Sequence, residues 1–244
     1  MQTKRSHNEA GFSLIELIIA MAITMVIMTL SCGLLAAGFN VRSREDQKSD
    51  AIADVQRALN IMTREISNAG LKLPSGLPAI ASNGIVTNDS DIDELRIVSN
   101  LNGLPDTANG FSVDTDVTDI DEDLKFLMYV DADLGQRYIV RYERNGANQT
   151  TVLANRIDSL VFRYYDEKVT YETMVDADGT CDITTVRNAA GTVENEVSPS
   201  AAKFIVIAVG VTLPAVGSFG TDGYQPESRI QLTSDVVLRN SIVY

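Results

Sequence analysis

The chain has 244 residues, 45% of them hydrophobic, and a formal net charge of −13 at pH 7. This length suits one domain of moderate size plus an anchor. An acidic balance of this size excludes nucleic-acid binding through the protein's own electrostatic field. The single histidine, His7, lies near the N-terminus. If the first residues are removed, Ser-His-Asp catalysis and His-ligated metal sites are excluded as well.

The N-terminal segment joins a short basic stretch to a long apolar one. Lys4 and Arg5 precede the sequence Gly11-Phe12-Ser13-Leu14-Ile15-Glu16, and no charged residue occurs from Leu17 to Val41. The charge-free run corresponds to roughly 37 Å of helix, enough to cross the hydrocarbon core of a bilayer. Glu16 is the anomaly, because a carboxylate in an apolar segment is costly unless it is paired. Nothing nearby in the sequence is placed to pair with it, so a partner is expected from another chain or from a new N-terminus made by cleavage.

This stretch resembles the cleavage and methylation motif of type IV pilins and type II secretion pseudopilins. The resemblance implies that a prepilin peptidase cuts between Gly11 and Phe12 and that Phe12, the new N-terminal residue, is N-methylated. It also implies that Glu16 is the family's glutamate at the fifth mature position. The ammonium on Phe12 can then pair with Glu16 of a neighbouring subunit during assembly. Such a pair favours one axial register, since each charge needs its partner.

Two simpler interpretations of the N-terminus remain open. One is a plain membrane anchor that happens to contain Glu16. The other is a secretory signal cut near Ala36-Ala37-Gly38, although the apolar run is longer than such signals usually are.

The basic residues ahead of the apolar run predict the orientation of the chain. Lys4 and Arg5 place the N-terminus in the cytoplasm, so the part after Arg42 lies outside, in the periplasm of a cell with two membranes. We therefore divide the chain into a leader (1–11), a transmembrane and filament-core helix (12–41), an amphipathic helix half (42–70) and a β-rich head (71–244).

The helix is predicted to continue beyond the apolar run. An apolar stripe recurs at helical spacing through Ile52, Val55, Leu59, Met62, Ile66 and Ala69. This periodicity is typical of an amphipathic helix that packs on another element. Gly70 suits the C′ position and Pro74 follows it, so the helix is expected to end at Ala69.

The remainder predicts strands from its β-branched and aromatic content. The seven candidates are Glu94–Ser99, Lys125–Val130, Arg137–Arg144, Thr151–Ala154, Ser159–Tyr165, Lys203–Leu213 and Arg229–Arg239. Asn145-Gly146 is a turn signal after the third candidate, and 71–93, 172–202 and 214–228 read as loops. The expected fold is α+β and type IV pilin-like: a long N-terminal helix packed on an antiparallel β-sheet.

Three later segments carry a finer resemblance to PilW-type minor pilins, with J-type minor pseudopilins similar. They are 54–70 on the helix, 152–164 in the strand region and 233–240 near the C-terminus. In those families such subunits form a tip complex that primes polymerisation. A major pilin is less favoured, because those chains often close a C-terminal loop with a disulfide.

The two cysteines are far apart in the predicted organisation. Cys32 lies in the apolar run and Cys181 in a predicted polar loop, so no intrachain disulfide is expected. We interpret Cys181 as inert.

Acidic loops are the remaining candidates for a binding site. Six acidic residues occur within one stretch of ten positions: Asp114, Asp116, Asp119, Asp121, Glu122 and Asp123. Another surrounds Gly179, where Asp176, Asp178 and Asp182 offer oxygen ligands for one calcium ion. The simpler interpretation of both is a solvated turn. Nothing in the sequence fixes two carboxylates at a distance suited to glycosidase chemistry, so no enzymatic activity is expected.

The resemblance thus implies a minor pilin that takes part in initiating type IV pilus assembly. Its expected partners are prepilin peptidase, other minor and major pilins, and the inner membrane, with no nucleic acid and no cofactor besides a possible calcium ion. The expected location is the inner membrane and then a pilus or pseudopilus tip. The alternatives are a J-type pseudopilin of a type II secretion system, and a membrane-anchored adhesin or calcium-binding module.

Overall fold

The computed structural model describes residues 13–74, 79–101, 116–145 and 149–241. Its backbone forms one long helix, α1 (Leu14–Ile66), and nine strands in these residues. The strands are β1 (Glu94–Val98), β2 (Asp123–Val130), β3 (Arg137–Glu143), β4 (Thr150–Asn155), β5 (Ser159–Tyr165), β6 (Val169–Val175), β7 (Cys181–Asn188), β8 (Phe204–Leu213) and β9 (Ser228–Val237). The chain divides into two compact units: Met1–Asp46 with Ala215–Pro226, and Gln47–Pro214 with Glu227–Tyr244.

The second unit contains three antiparallel sheets. β1 to β4 form a four-stranded meander in chain order, β8 lies between β5 and β9, and β6 pairs with β7 as a separate hairpin. All seven predicted strands are present with small shifts at their ends. The loop predicted over 172–202 is wrong in part, because it contains most of β6 and all of β7. The predicted turn at Asn145-Gly146 extends into residues outside those described.

The apolar stripe of α1 forms the centre of the core in this unit. Val55, Met62, Ile66 and Ala69 have no exposed surface, and Leu59 is buried as well. They belong to one cluster with side chains from the two larger sheets, among them Leu95, Ile97, Phe126, Phe162, Ile205 and Ile207. Burial of this apolar area supplies the main driving force for docking the helix, at about 25 cal/mol per Å². The predicted α+β fold, a helix packed on antiparallel sheets, is confirmed.

The C-terminal end of α1 differs from the prediction. The regular helix ends at Ile66, before the expected Ala69. The amides of Asn68 and Ala69 bond three residues back, at 3.1 and 3.0 Å, so the last turn tightens into 3₁₀ geometry. Gly70 has the predicted left-handed conformation, with φ +78°. Its amide donates to the Val98 carbonyl at 2.9 Å, which ties the end of the helix to β1.

An ion pair adds a polar link between the helix and the first sheet. Arg141 of β3 donates from Nε to Glu65 of α1 at 2.9 Å, and it also pairs with Asp121. Only 13% of the Arg141 side chain is exposed, against 17% for Glu65. The ion pair therefore mainly fixes the orientation of this face of α1 on β3. It adds little net stability, because both charges lose hydration on burial.

Candidate functional site

The N-terminal end of α1 is the first candidate site. Gly11 and Phe12 lie outside the described residues, so the structure says nothing about the predicted cleavage point. Ser13 precedes the helix, and its backbone N–H donates to Oε2 of Glu16 at 3.0 Å. This is half of a capping box, in which the N3 glutamate reaches back to the amide of the N-cap residue.

The sequence interpretation of Glu16 therefore needs correction. A local partner does exist, because a backbone amide three residues earlier binds the carboxylate. The sequence pattern Ser13-x-x-Glu16 is the signal that indicates this cap. A carboxylate has about four acceptor positions, so the cap leaves capacity for an ammonium group from another chain.

The apolar part of α1 carries the second feature of the site. From Leu14 to Phe39 its large hydrophobic side chains are exposed, with values between 52% and 77%. Among the described residues, α1 is the one helix long and apolar enough to cross a membrane. A surface of this kind requires either lipid or other helices around it.

The first acidic cluster is bound by groups of the protein itself. Asp114 lies outside the described residues. Asp116 accepts from the Thr118 hydroxyl and amide, Asp121 pairs with Arg141, and Asp123 pairs with Arg96. Glu122 is buried and accepts from the Leu101 amide at 2.9 Å. These carboxylates are mostly used in turns and ion pairs of the head.

The second acidic cluster forms the turn of the β6–β7 hairpin. The Asp178 carboxylate accepts from the Thr180 amide at 2.9 Å, and this hydrogen bond lowers the pKa of Asp178. Gly179 has φ +89°, and its carbonyl accepts from the Arg229 guanidinium. A positive side chain thus already covers the turn.

The carboxylate of Asp182 is held in an ion pair with Arg163. Arg163 donates from Nε to Asp182 Oδ1 at 3.1 Å and from Nη2 to Oδ2, while its Nη1 reaches Glu196 at 2.9 Å. The bond to Asp182 raises the pKa of Arg163. In the part of the chain that the structure describes, no group of three His, Cys, Asp or Glu side chains is placed to hold a metal ion. Calcium at Asp176, Asp178 and Asp182 stays a prediction without geometric support, and titration calorimetry with Ca²⁺ tests it.

Replacing Asp182 by Asn is expected to destabilise the head by about 2 to 3 kcal/mol, because it leaves the charge of Arg163 without its bidentate partner. This loss is smaller than that for a fully buried ion pair, because solvent screens the exposed part of Arg163. The Arg163 side chain is 25% exposed and the Asp182 side chain 5%. Urea unfolding of the full chain in detergent measures the difference. Asp178→Asn is the matched control: it keeps an oxygen acceptor for Thr180, and its midpoint should stay near wild type. Equal midpoints for the two variants would contradict this account of the Arg163 pair.

Cys181 lies on a strand and not in an exposed loop. Its side chain has no exposed surface, and its amide donates to the Ser159 hydroxyl at 3.1 Å. A methyl group added at Gly210 would lie 2.6 Å from the sulfur, which shows how closely β8 covers it. The structure corrects the predicted environment of this residue. Burial also raises the pKa of the Cys181 thiol.

We expect Cys181 to resist alkylation in the folded protein, because the thiolate is the reactive form and both burial and the raised pKa disfavour it. The measurement is iodoacetamide labelling of a Cys32→Ser chain at mildly alkaline pH, with and without urea. Labelling should occur only after unfolding. Rapid labelling without urea would mean that the β6–β7 hairpin opens readily, contrary to its burial here.

Comparison with known proteins bears on the N-terminal segment. Residues 6–31 match the family described as the prokaryotic N-terminal methylation motif. No curated protein and no solved structure matches the chain significantly. The matched residues include the predicted cleavage point, Glu16 and most of the exposed apolar surface. The match supports a type IV pilin-like protein, processed by prepilin peptidase, anchored by its apolar helix in the inner membrane and interacting with other pilins.

Proposed function

We propose that this chain is a minor pilin that takes part in initiating type IV pilus assembly. Prepilin peptidase cuts it between Gly11 and Phe12, and Phe12 is then N-methylated. One observation carries the proposal: the methylation motif over 6–31 leads directly into a helix whose apolar surface is exposed from Leu14 to Phe39. The head packs on the amphipathic half of the same helix, so the head stays attached to the helix when the helix enters a filament.

Before assembly the processed chain is a single-pass membrane protein. Lys4 and Arg5 place the N-terminal end on the cytoplasmic side when the chain inserts, before the leader is removed. The amphipathic helix half (42–70) and the head (71–244) are then in the periplasm. During assembly the exposed apolar surface exchanges lipid for the helices of neighbouring subunits.

Glu16 selects the axial register between the helices of neighbouring subunits. Its cap to the Ser13 amide holds the carboxylate at the helix N-terminus, where the macrodipole also favours negative charge. A new ammonium on Phe12 of a neighbouring subunit supplies the second partner. The pair forms only at one axial offset between helices, and any other offset leaves two charges without partners in a low-dielectric bundle.

A role in initiation, and not in the bulk of the fibre, is supported by the resemblance of 54–70, 152–164 and 233–240 to PilW-type minor pilins. Cys181 is also consistent with this role. It lies buried in β7 and Cys32 in the apolar run of α1, so the head is not closed by the C-terminal disulfide common in major pilins. A J-type minor pseudopilin shares the processing and the fold and differs in the machine that it serves.

Deletion of the gene tests the role. The proposal predicts loss of surface pili in electron micrographs, while the major pilin remains at normal level in the inner membrane, and complementation restores the pili. Normal piliation with loss of protein secretion would identify a pseudopilin instead. Normal piliation and normal secretion would contradict both assignments.

A further inference from the structure

The loop Ala215–Pro226 lies against α1 just beyond its most apolar part. Val216 and Gln225 pair across the loop through two backbone hydrogen bonds of 2.9 Å. A methyl group added at Gly217 would lie 2.8 Å from the Asn40 side chain, and one at Gly223 would overlap the backbone of Ala37. The two glycines thus allow the loop to approach the helix closely.

A third contact holds the end of the loop. Arg44 is 7% exposed, and its Nη2 donates to the Pro226 carbonyl at 2.6 Å. Together with the contacts at Ala37 and Asn40, this hydrogen bond fixes the loop over about two turns of α1. The loop and this part of the helix belong to the same compact unit.

The position of the contact along the helix is informative. Ala37 lies 20 residues after Leu17, the first position beyond Glu16, which corresponds to roughly 30 Å along the helix. The hydrocarbon core of a bilayer is about 30 Å thick. A helix that crosses the membrane from Leu17 therefore brings Ala37, and the loop seated on it, to the outer membrane–water interface.

The loop presents an exposed aromatic side chain at this level. Phe219 is 90% exposed, the highest value among the large hydrophobic side chains described. Its ring contacts Tyr224 edge to face, with ring centroids 5.6 Å apart. Asp222 is the one charged residue between Ala215 and Pro226. Tyrosine is one of the residues enriched at membrane interfaces, and phenylalanine is among the apolar residues that interfacial segments bury at that level.

We propose that Phe219, supported by Tyr224, inserts into the interfacial region of the outer leaflet of the membrane that α1 crosses. The partner is a lipid surface, and the inference rests on the membrane insertion of α1 in the proposed function. Because the loop is fixed to the helix, the insertion sets the depth of α1 and its rotation about its own axis. Extraction into a filament then requires the ring to leave the lipid together with the helix.

The chain contains no tryptophan, so Phe219→Trp provides a single fluorescent reporter at an exposed position. We would place the full chain in nanodiscs whose lipids are brominated either near the headgroup or near the end of the acyl chain. The expected result is blue-shifted emission that is quenched more strongly by the shallow bromines. Red-shifted, unquenched emission would overturn the proposal. So would blue-shifted emission that neither lipid quenches, because the ring would then be packed against protein.

Two further single-tryptophan variants separate the possible failures. Leu30→Trp, at an exposed position inside the apolar run, should be quenched most by the deep bromines. If it is not quenched, α1 is not inserted and the membrane stage of the proposed function fails too. Quenching at Leu30→Trp without quenching at Phe219→Trp overturns the loop proposal alone. Val193→Trp, at an exposed position of the head, should remain unquenched, and equal quenching there would mean non-specific contact and would also overturn it.

Discussion

Replacing Glu16 by Gln is expected to leave processing intact and to block incorporation into filaments. The amide oxygen of Gln can still accept from the Ser13 amide, so the cap survives, but the charge that pairs with a neighbouring ammonium is lost. An uncompensated charge in a low-dielectric bundle costs roughly 3 kcal/mol or more, which corresponds to about a hundredfold loss in incorporation. The measurement is immunoblotting of sheared filaments against whole-cell levels of the processed chain.

Glu16→Asp is the matched control for this experiment. It keeps the charge on a shorter side chain, so we expect incorporation between that of wild type and that of Glu16→Gln. Wild-type incorporation of Glu16→Gln would show that the capping bond, and not the charge pair, is the function of this residue. Loss of processing in either variant would place Glu16 in peptidase recognition instead.

Replacing Gly84 by Ala is expected to disrupt the junction between α1 and the first sheet. Gly84 has φ +83°, and a methyl group there would overlap the amide nitrogen of Gly70 and lie 2.6 Å from the Val98 carbonyl. These are backbone atoms, so no side chain can move aside. We expect a loss of about 3 to 5 kcal/mol in the free energy of unfolding, measured by urea unfolding of the full chain in detergent.

Gly191→Ala separates overlap from backbone strain. Gly191 also has a positive φ, +79°, but no atom lies within 4 Å of the added methyl group. It should therefore lose only the conformational part, roughly 1 kcal/mol. Similar losses at the two positions would mean that the junction between Gly84 and Gly70 is more plastic than the structure indicates.

The sequence alone predicts those parts of the fold in which apolar residues follow a clear local pattern. The stripe from Ile52 to Ala69 repeats at helical spacing, and the structure buries it from Val55 onward, with Ile52 half-buried. The predicted strands are rich in β-branched and aromatic residues, and all are present. In both cases a local pattern and its packing agree, which is the condition under which sequence reasoning works.

The β6–β7 hairpin was missed because its local signals oppose its structure. Its two strands are half exposed, and the turn between them is an Asp- and Gly-rich segment that resembles loop. The register also shifts between Thr170 and Glu172, which breaks the alternation expected of a strand. Burial of Cys181 and the pair between Asp182 and Arg163 depend on β5 and β8, and such long-range contacts leave no periodic signal.

The candidate site was predictable in its sequence motif and not in its contacts. The motif around Gly11 and Glu16 is local, and so was the capping pattern from Ser13 that the sequence interpretation overlooked. The contact of Pro226 with Arg44, by contrast, joins residues 182 positions apart. Only the folded structure shows that a loop with an exposed Phe219 lies against the end of the apolar helix.

The measurement that tests the central claim most directly is the intact mass of the chain, expressed with and without an active prepilin peptidase. With the peptidase, the account predicts loss of residues 1–11 and gain of one methyl group on Phe12. Without it, the chain should keep its full mass. An uncut chain in the presence of the peptidase, or a cut near Gly38, would contradict the account and leave a plain membrane anchor or a secretory signal in its place.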